Sequence, residues 1–479
     1  MSRINHNISS LQAMHQLVAN QTDLSISLER LSSGLRINRG KDDPAGLIAS
    51  ENLRAEIRGI NGAIENSERA NHVISTAEGA LNEVSALLLQ IRGLVNISAN
   101  SGALADEELQ ANQLQIDSIL ESIDRISNTT QFNGKKLLDG SLEYTLSSVN
   151  TSNLAEVRLY GAKIPDGGTL PIVVEVTNSA EFAQVKFSGA GTSADNVVSI
   201  RVAGNVGSEV FSFAESTAVS AMAATINSFK EVTGVSATVS GTGALYFNST
   251  TYGSDAFVTV TSIGTDDFMT HAAGGSNSTS TTDNGVDASV MVNGQAATVN
   301  GLEVTLRNNS LDLELVMTSS FGTALGTTTF GVTGGGATFQ LAPTVSTQGQ
   351  VSLGIYSVST GTLGNNEVGY LSSIRTGGAN ALTDGEAISA QRIVDRAITQ
   401  ISVMRGRLGA FQKNTIETNV NSLQVALENV TASESAIRDT DFAKETAEMT
   451  RSQILVQATT TVLRIANTTP QNVLSLLGG

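Results

Sequence analysis

The stretch VISTAEGALNEVSALLLQIRGL, residues 73–94, sets Val73, Ala77, Ala80, Val84, Leu87, Ile91 and Leu94 apart by alternating steps of four and three. Apolar residues recurring every 3.5 positions on average line one stripe of a helix, and a stripe that holds over several turns specifies a coiled-coil seam. The rhythm extends upstream through Ile4, Ile8, Leu11, His15 and Val18, and again through Leu24, Leu28, Leu31 and Leu35. Gly34, Gly40 and Asp43-Pro44 interrupt it. Asp43 suits an N-cap and Pro44 the first helical position, where a missing N–H costs nothing. Downstream, Asn100-Ser101-Gly102 closes the helix and Asp106, Glu107 and Glu108 open another, favoured there by the helix dipole. Leu109, Ile116, Leu120 and Ile123 share its face.

The C-terminal end mirrors this. Thr383 to Glu386 reads as a capping box. Val394, Ala397, Ile401, Met404, Leu408 and Phe411 follow at helical spacing, and Leu423, Leu427 and Val430 prolong the seam. A last helix is expected from near Asp441, with Met449, Val456 and Leu463 seven apart, stopping before Pro470. Periodicity alone also suits an ordinary bundle core. Two helices at each end, interrupted at comparable depth, point to pairing of the termini. The expected assembly seams are Leu24, Leu28, Leu31, Leu35, Met449, Val456 and Leu463. The expected packing face of the next helices is Val84, Leu87, Ile91, Leu94, Ile401, Met404 and Leu408.

Between 142 and 336 the composition turns to Gly, Ser, Thr and Val. Val198, Ile200 and Val202, and Leu311, Leu313, Leu315 and Met317, alternate with polar residues at strand period. One helical face, Val219, Met222, Ile226 and Phe229, intrudes, so a strand-strand-helix-strand unit is expected over 197–260. The segment holds 17 acidic and 6 basic residues, hence 11 of the net 17 negative charges. An acidic, Ser/Thr-rich insert between helical ends reads as a solvent-facing module. The fold class is therefore α+β and multidomain, with paired terminal helices and an inserted β-rich outer region.

Composition excludes several functions. A net charge of −17 cannot displace counterions from phosphate, which argues against nucleic acid. The strongest apolar run, Ala86-Leu87-Leu88-Leu89, is far short of a membrane span, and Met1 to Leu17 lacks the apolar stretch of a secretory signal. With no Cys there is neither a disulfide framework nor thiolate chemistry. No cofactor is implied.

Ser27-Leu28-Glu29-Arg30-Leu31-Ser32-Ser33-Gly34-Leu35-Arg36-Ile37-Asn38, continued by Lys41-Asp42-Asp43-Pro44-Ala45-Gly46-Leu47, resembles the N-terminal signature of bacterial flagellins. Phe132-Asn133-Gly134-Lys135-Lys136-Leu137-Leu138 and Pro470-Gln471-Asn472-Val473-Leu474-Ser475-Leu476-Leu477 are similar to the same family's pattern, which covers 1–141 and 337–479. The resemblance implies a subunit that self-assembles into the extracellular flagellar filament. It implies three layers: 1–44 with 437–479 as an inner terminal-helix domain, 45–141 with 337–436 as a helical bundle with a β-hairpin, and 142–336 as an outer insert. The implied partners are further copies of the chain, a cap protein, the hook–filament junction proteins, the flagellar export apparatus and an export chaperone. Export would proceed without a cleaved signal peptide. Leu89-Gln90-Ile91-Arg92-Gly93-Leu94 resembles a receptor-recognised segment of many flagellins, keeping Arg92 and Leu94 but carrying Gln90 and Gly93 where an Arg and a Glu are usual. Ser278-Thr279-Ser280-Thr281-Thr282 is a candidate O-glycan loop by the same analogy, with a plain flexible loop as the alternative.

Three rival readings stand beside this one. A metalloprotease insert needs two His four apart with a Glu between, and the insert's single His271 has no such partner. His6, His15 and His72 fall on the helical arms, and Gly334-Gly335-Gly336 lacks the Lys-Ser or Lys-Thr of a phosphate loop. A glycan-binding adhesin would use the Ser/Thr-rich insert. The nearest alternative is a hook–filament junction protein, which shares the terminal helices but usually lacks the two motifs at Phe132–Leu138 and Pro470–Leu477.

Overall fold

Helix ends follow the capping chemistry of the sequence. A computed structural model describes residues 6–477 apart from 101, 103, 166–167, 188–196, 242, 264–267, 269, 273–279 and 309; Ile4, Ser101, Ser278 and Thr279 thus lie outside the described residues. Helix α1, Ile8–Ser33, opens where Asn7 Oδ1 accepts the Ser10 N–H at 2.9 Å. It ends at Gly34, whose φ of 75° lets its N–H reach Arg30 O at 2.8 Å. In α2, Pro44–Ser98, Asp43 Oδ1 accepts the Gly46 N–H at 2.9 Å, the cap expected from Asp43-Pro44. A Cβ on Gly46 would stand 2.8 Å from Ile37 Cδ1, so this tight entry demands glycine. Helix α3, Asp106–Thr129, carries the three acidic residues in its first turn and buries Gln113, Ile116, Leu120, Ile123 and Ser127.

The Phe132–Leu138 motif is a hairpin. Asn133 at φ 50° and Gly134 at φ 81° turn the strand Gln131–Phe132 onto Lys135–Lys136, while Leu137 and Leu138 are buried. After the insert, with its short helices α4 (Val219–Ser228), α5 (Lys230–Thr233) and α6 (Ser319–Gly322), come α7 (Ala387–Phe411) and α8 (Thr418–Arg438). A π-helical segment, Gln412–Glu417, joins α7 to α8, and α9 (Phe442–Leu477) closes the chain.

Two sequence expectations fail here. The capping box does not form: Leu382–Asp384 is a 3-10 turn closed by Gly385 at φ 84°, and Glu386 precedes the helix with no side-chain cap bond. Nor does the last helix stop before Pro470; it continues to Leu477. Pro470 removes the N–H that would bond Ala466 O, and Asn7 Nδ2 takes that carbonyl at 2.8 Å. The proline is tolerated because α1 satisfies the acceptor it frees.

The insert is two antiparallel β modules, one set into the other. The outer of the two in sequence packs a five-stranded sheet (295–296, 289–292, 170–178, 326–335, 144–147) with a four-stranded one (298–300, 303–307, 311–317, 154–162). Their core includes Leu159, Ile172, Val174, Val292, Val304, Leu313, Leu315 and Val332. The second module fills the chain between Leu170–Asn178 and Ser289–Val292. It has four-stranded sheets 270–272, 182–187, 245–252, 235–239 and 282–284, 257–262, 198–204, 208–213, with α4 burying Val219, Met222, Ala223 and Ile226. It is therefore larger than the expected 197–260 unit, and Phe229 leaves the helix face to cap it, 39% exposed. The insert's two ends lie side by side: Gly335 pairs with Tyr144, and Gly336 N–H donates to Glu143 O at 3.2 Å.

The chain divides into two compact units. One comprises Met1–Glu68, Leu341–Val345 and Ile416–Gly479; the other comprises Arg69–Gln340 and Ser346–Thr415, and so holds both β modules together with α3 and α7.

Candidate assembly surface

Helices α1 and α9 run antiparallel against each other. Ser10 Oγ donates to Asn467 Oδ1 at 2.7 Å near one end, and Arg30 Nη1 meets Glu445 Oε2 at 3.6 Å near the other. The α1 side of the seam is Ala13, Leu17, Asn20, Leu24, Ser27 and Leu31, at steps of four and three. The α9 side is Glu445, Met449, Ser452, Val456, Thr459, Leu463 and Ala466, at the same steps. The most enclosed seats are small or polar: Ala13, Asn20, Ser27, Glu445 and Ser452 are buried, whereas the leucines, Met449 and Val456 are half-buried.

A further set of large apolar residues lies off the seam. Ile8, Leu11, Met14 and Val18 on α1, and Ile454, Leu455, Val462 and Ile465 on α9, are exposed, with Val18 at 53% and Ile454 at 60%. At 100° per residue, Ile8, Leu11, Val18, Ile454 and Ile465 fall on the side of each helix away from its seam, with Met14, Leu455 and Val462 on the flank. An apolar stripe on both helices of a pair has no partner among the described residues and is the surface a neighbour would cover.

Of the seven expected assembly residues, Leu24, Leu31, Met449, Val456 and Leu463 sit on the α1–α9 seam. Leu28 does not; it is 51% exposed, and Ser27 occupies the seat beside it. Hydrophobicity favoured the leucine, but a close helix approach favours the serine. Leu35 lies beyond the helix, half-buried, in an isolated bridge to Asp439. That bridge, with Arg36 N–H to Arg438 O at 2.7 Å and Thr440 N–H to Gly34 O at 2.9 Å, ties the turn after α1 to the turn before α9.

Along α2, from Ile60 to its end, the buried positions are Ile60, Ala63, Ser67, Ala70, Ile74, Ala77, Leu81, Val84, Leu88, Ile91, Val95 and Ser98, an unbroken run of threes and fours. Val84 and Ile91 lie on it as expected; Leu87 and Leu94 flank it, half-buried. The correction is one of phase. Ala80-Leu81, Leu87-Leu88 and Leu94-Val95 are adjacent apolar pairs, so periodicity does not choose between them. On α7, Ile401, Met404 and Leu408 are buried as expected. Arg92 Nε meets Asp395 Oδ1 at 3.3 Å and links α2 to α7; Gln90 and Arg92 are otherwise exposed.

The described part of the candidate glycan loop runs into a strand. Thr282 begins the strand Thr282–Asn284, Thr281 O accepts the Val260 N–H at 2.7 Å, and Ser280 N–H donates to Thr270 O at 2.9 Å. Thr281 and Thr282 remain exposed. Among the described residues no three His, Cys, Asp or Glu side chains are grouped to hold a metal, and no helix is long and apolar enough to cross a membrane.

Comparison with known proteins bears on both ends and on the whole. Residues 4–143 match the bacterial flagellin N-terminal helical region, and residues 391–477 match the bacterial flagellin C-terminal helical region. The B-type flagellin of Pseudomonas aeruginosa is 32% identical over 533 aligned positions, covering 99% of each chain. The flagellin of Bacillus subtilis is 28% identical, again over 99% of each. Among solved structures, a flagellar hook associated protein-3 from Legionella pneumophila aligns with 81% of this chain and 98% of its own at 12% identity. Its TM-score of 0.32 is too low to argue for the junction-protein alternative. Matched at both ends by the family's own regions and along its length by a relative of this identity, the chain belongs to the bacterial flagellin family.

Proposed function

We propose that this flagellin, a structural subunit of the flagellar filament, assembles by burying the outward stripes of α1 and α9 against neighbouring copies. The observation that carries the reading is the distribution of polarity on that helix pair. The most enclosed seats of its inner seam are small or polar, whereas its outer faces leave Leu11, Val18, Ile454 and Val462 exposed. A head-to-tail contact between such faces repeats without closing into a ring and so yields a filament. The layers follow from it: residues 1–44 with 437–479 innermost, 45–141 with 337–436 around them, and 142–336 outermost. The chain is a structural protein and not an enzyme. Its other contacts are the cap and junction proteins at the filament ends, and the export apparatus and chaperone before assembly.

Limited trypsin digestion tests the arms. The exposed side chains of Arg36 and Arg451 should be cut early in the isolated subunit and protected in the filament. Equal cutting of both sites in filament and subunit would remove α1 and α9 from the assembly surface.

A further inference from the structure

One arginine gathers an unusual set of partners. Arg407, on α7 and with its side chain 11% exposed, puts Nη1 2.9 Å from Asp312 Oδ1 and Nη2 3.6 Å from Glu314 Oε2, both on the strand Leu311–Met317. Its guanidinium carbon lies 3.4 Å from the centre of the Tyr160 ring on the neighbouring strand Leu154–Ala162. Tyr160 packs edge-on against Tyr356 at 5.2 Å, and its hydroxyl lies 3.4 Å from Glu314 Oε2. About three turns earlier on α7, Arg396 Nη2 meets Glu303 Oε1 at 3.2 Å. A guanidinium stacked on a ring, hydrogen-bonded to one carboxylate and ion-paired to a second in a half-dry site, is fixed in orientation as well as position.

We propose that Arg407, Tyr160, Asp312 and Glu314 form a proton-sensitive latch that holds the β sandwich at one angle on α7. Glu314 faces Glu303 from the adjacent strand, Arg158 and Tyr160 from the strand on its other side, and Arg407 from α7, with Asp312 on its own strand and Arg158 paired to Glu156. Burial, reinforced by the neighbouring Glu303, holds the Glu314 carboxyl above its ordinary range despite the two arginines. Burial likewise pushes the Tyr160 phenol up to about 12, so that ring stays neutral beneath the cation. A carboxyl with a raised value takes up a proton more readily docked than exposed. Docking is therefore favoured as pH falls through that raised value, and weakens as pH rises above it. A simple surface ion pair behaves in the opposite way.

The chain has no Cys, so a spin-label pair can be introduced cleanly. Glu175→Cys on the sandwich and Ser402→Cys on α7 are exposed sites for nitroxides in the full-length subunit. The parent pair should give an interspin distribution that narrows when the pH is lowered from neutral to just above the ordinary carboxyl range. Arg407→Gln should broaden it markedly at both pH values with unchanged helix content by circular dichroism. Glu314→Gln, which mimics the protonated acid, should be narrow at both and lose the pH response. Arg407→Lys, which keeps the charge but not the fork, should broaden nearly as much as Arg407→Gln. An Arg407→Gln distribution as narrow as the parent's overturns the latch. A parent that broadens in acid, or a response that survives in Glu314→Gln and so comes from another carboxyl such as the half-buried Glu143, overturns the proton dependence.

Discussion

Asn7 does two things with one side chain. Its oxygen caps α1 at Ser10, and its nitrogen serves Ala466 O, the carbonyl that Pro470 leaves without an intrahelical donor. Serine is as good a cap as asparagine but is too short to reach across. Asn7→Ser should therefore cost the filament about 1 kcal/mol, the net worth of one hydrogen bond, read as a lower thermal midpoint. Pro470→Ala restores the missing N–H, so in that background Asn7→Ser should cost little. Equal costs in both backgrounds would show that the two residues are not coupled. Neither end of the sequence reveals this contact: Asn7 and Pro470 are each ordinary alone, and only the antiparallel register brings them together.

At the level of the helix, phase and polarity decide what a substitution does. On α2, Leu88 is fully buried and Leu87 is not, so Leu88→Ala should cost ~2–5 kcal/mol in subunit stability by denaturant titration and Leu87→Ala clearly less. The reverse order would return the seam to the phase read from residues 73–94. On the arms, Val18→Asp or Ile454→Asp should block seeded assembly in a sedimentation assay while leaving subunit melting unchanged, because these side chains already face solvent. Leu325→Asp, on an insert residue 72% exposed, is the control and should sediment like the parent. Val292 would be a poor control, since it is fully buried in the sandwich core and an unpaired carboxylate there is strongly penalised. Helices were legible because their apolar period survives without tertiary context. The strands 198–204 and 311–317 were legible for the same reason, their two faces differing in polarity. The α1–α9 seam was only half legible, because Asn20, Ser27, Glu445 and Ser452 are buried seats that carry no hydrophobic signal. The Arg407 cluster was not legible at all: it joins residues 160, 312, 314 and 407 through a fold that no periodicity encodes.

For the whole molecule, what matters is where the chain enters and leaves its β modules. Most of the subunit's net negative charge lies between 142 and 336, as do both β cores, yet the two crossing points of the chain are hydrogen-bond neighbours. The boundary drawn at 142 from the sequence is slightly too early. Leu142 O accepts the Ile355 N–H at 3.1 Å, and Glu143 Oε1 accepts the Ser357 N–H at 2.8 Å, so both residues belong with the returning chain and not with the insert. Replacing 144–335 by Gly-Gly keeps those two contacts and spans the short gap between Glu143 and Gly336 with residues free to take positive φ. It also deletes Tyr160, Asp312 and Glu314, leaving Arg407 exposed, where an unpaired guanidinium is solvated at little cost. Since α1 and α9 lie entirely outside the deletion, the shortened chain should still form filaments when seeded, visible by electron microscopy as thinner threads. A deletion starting at 142 should do so less well, having removed the Leu142 and Glu143 contacts. A Gly-Gly variant whose melting shows intact helices but which stays in the supernatant would mean that the outer modules take part in assembly, and the proposed assignment of the assembly surface to α1 and α9 would have to be extended to them.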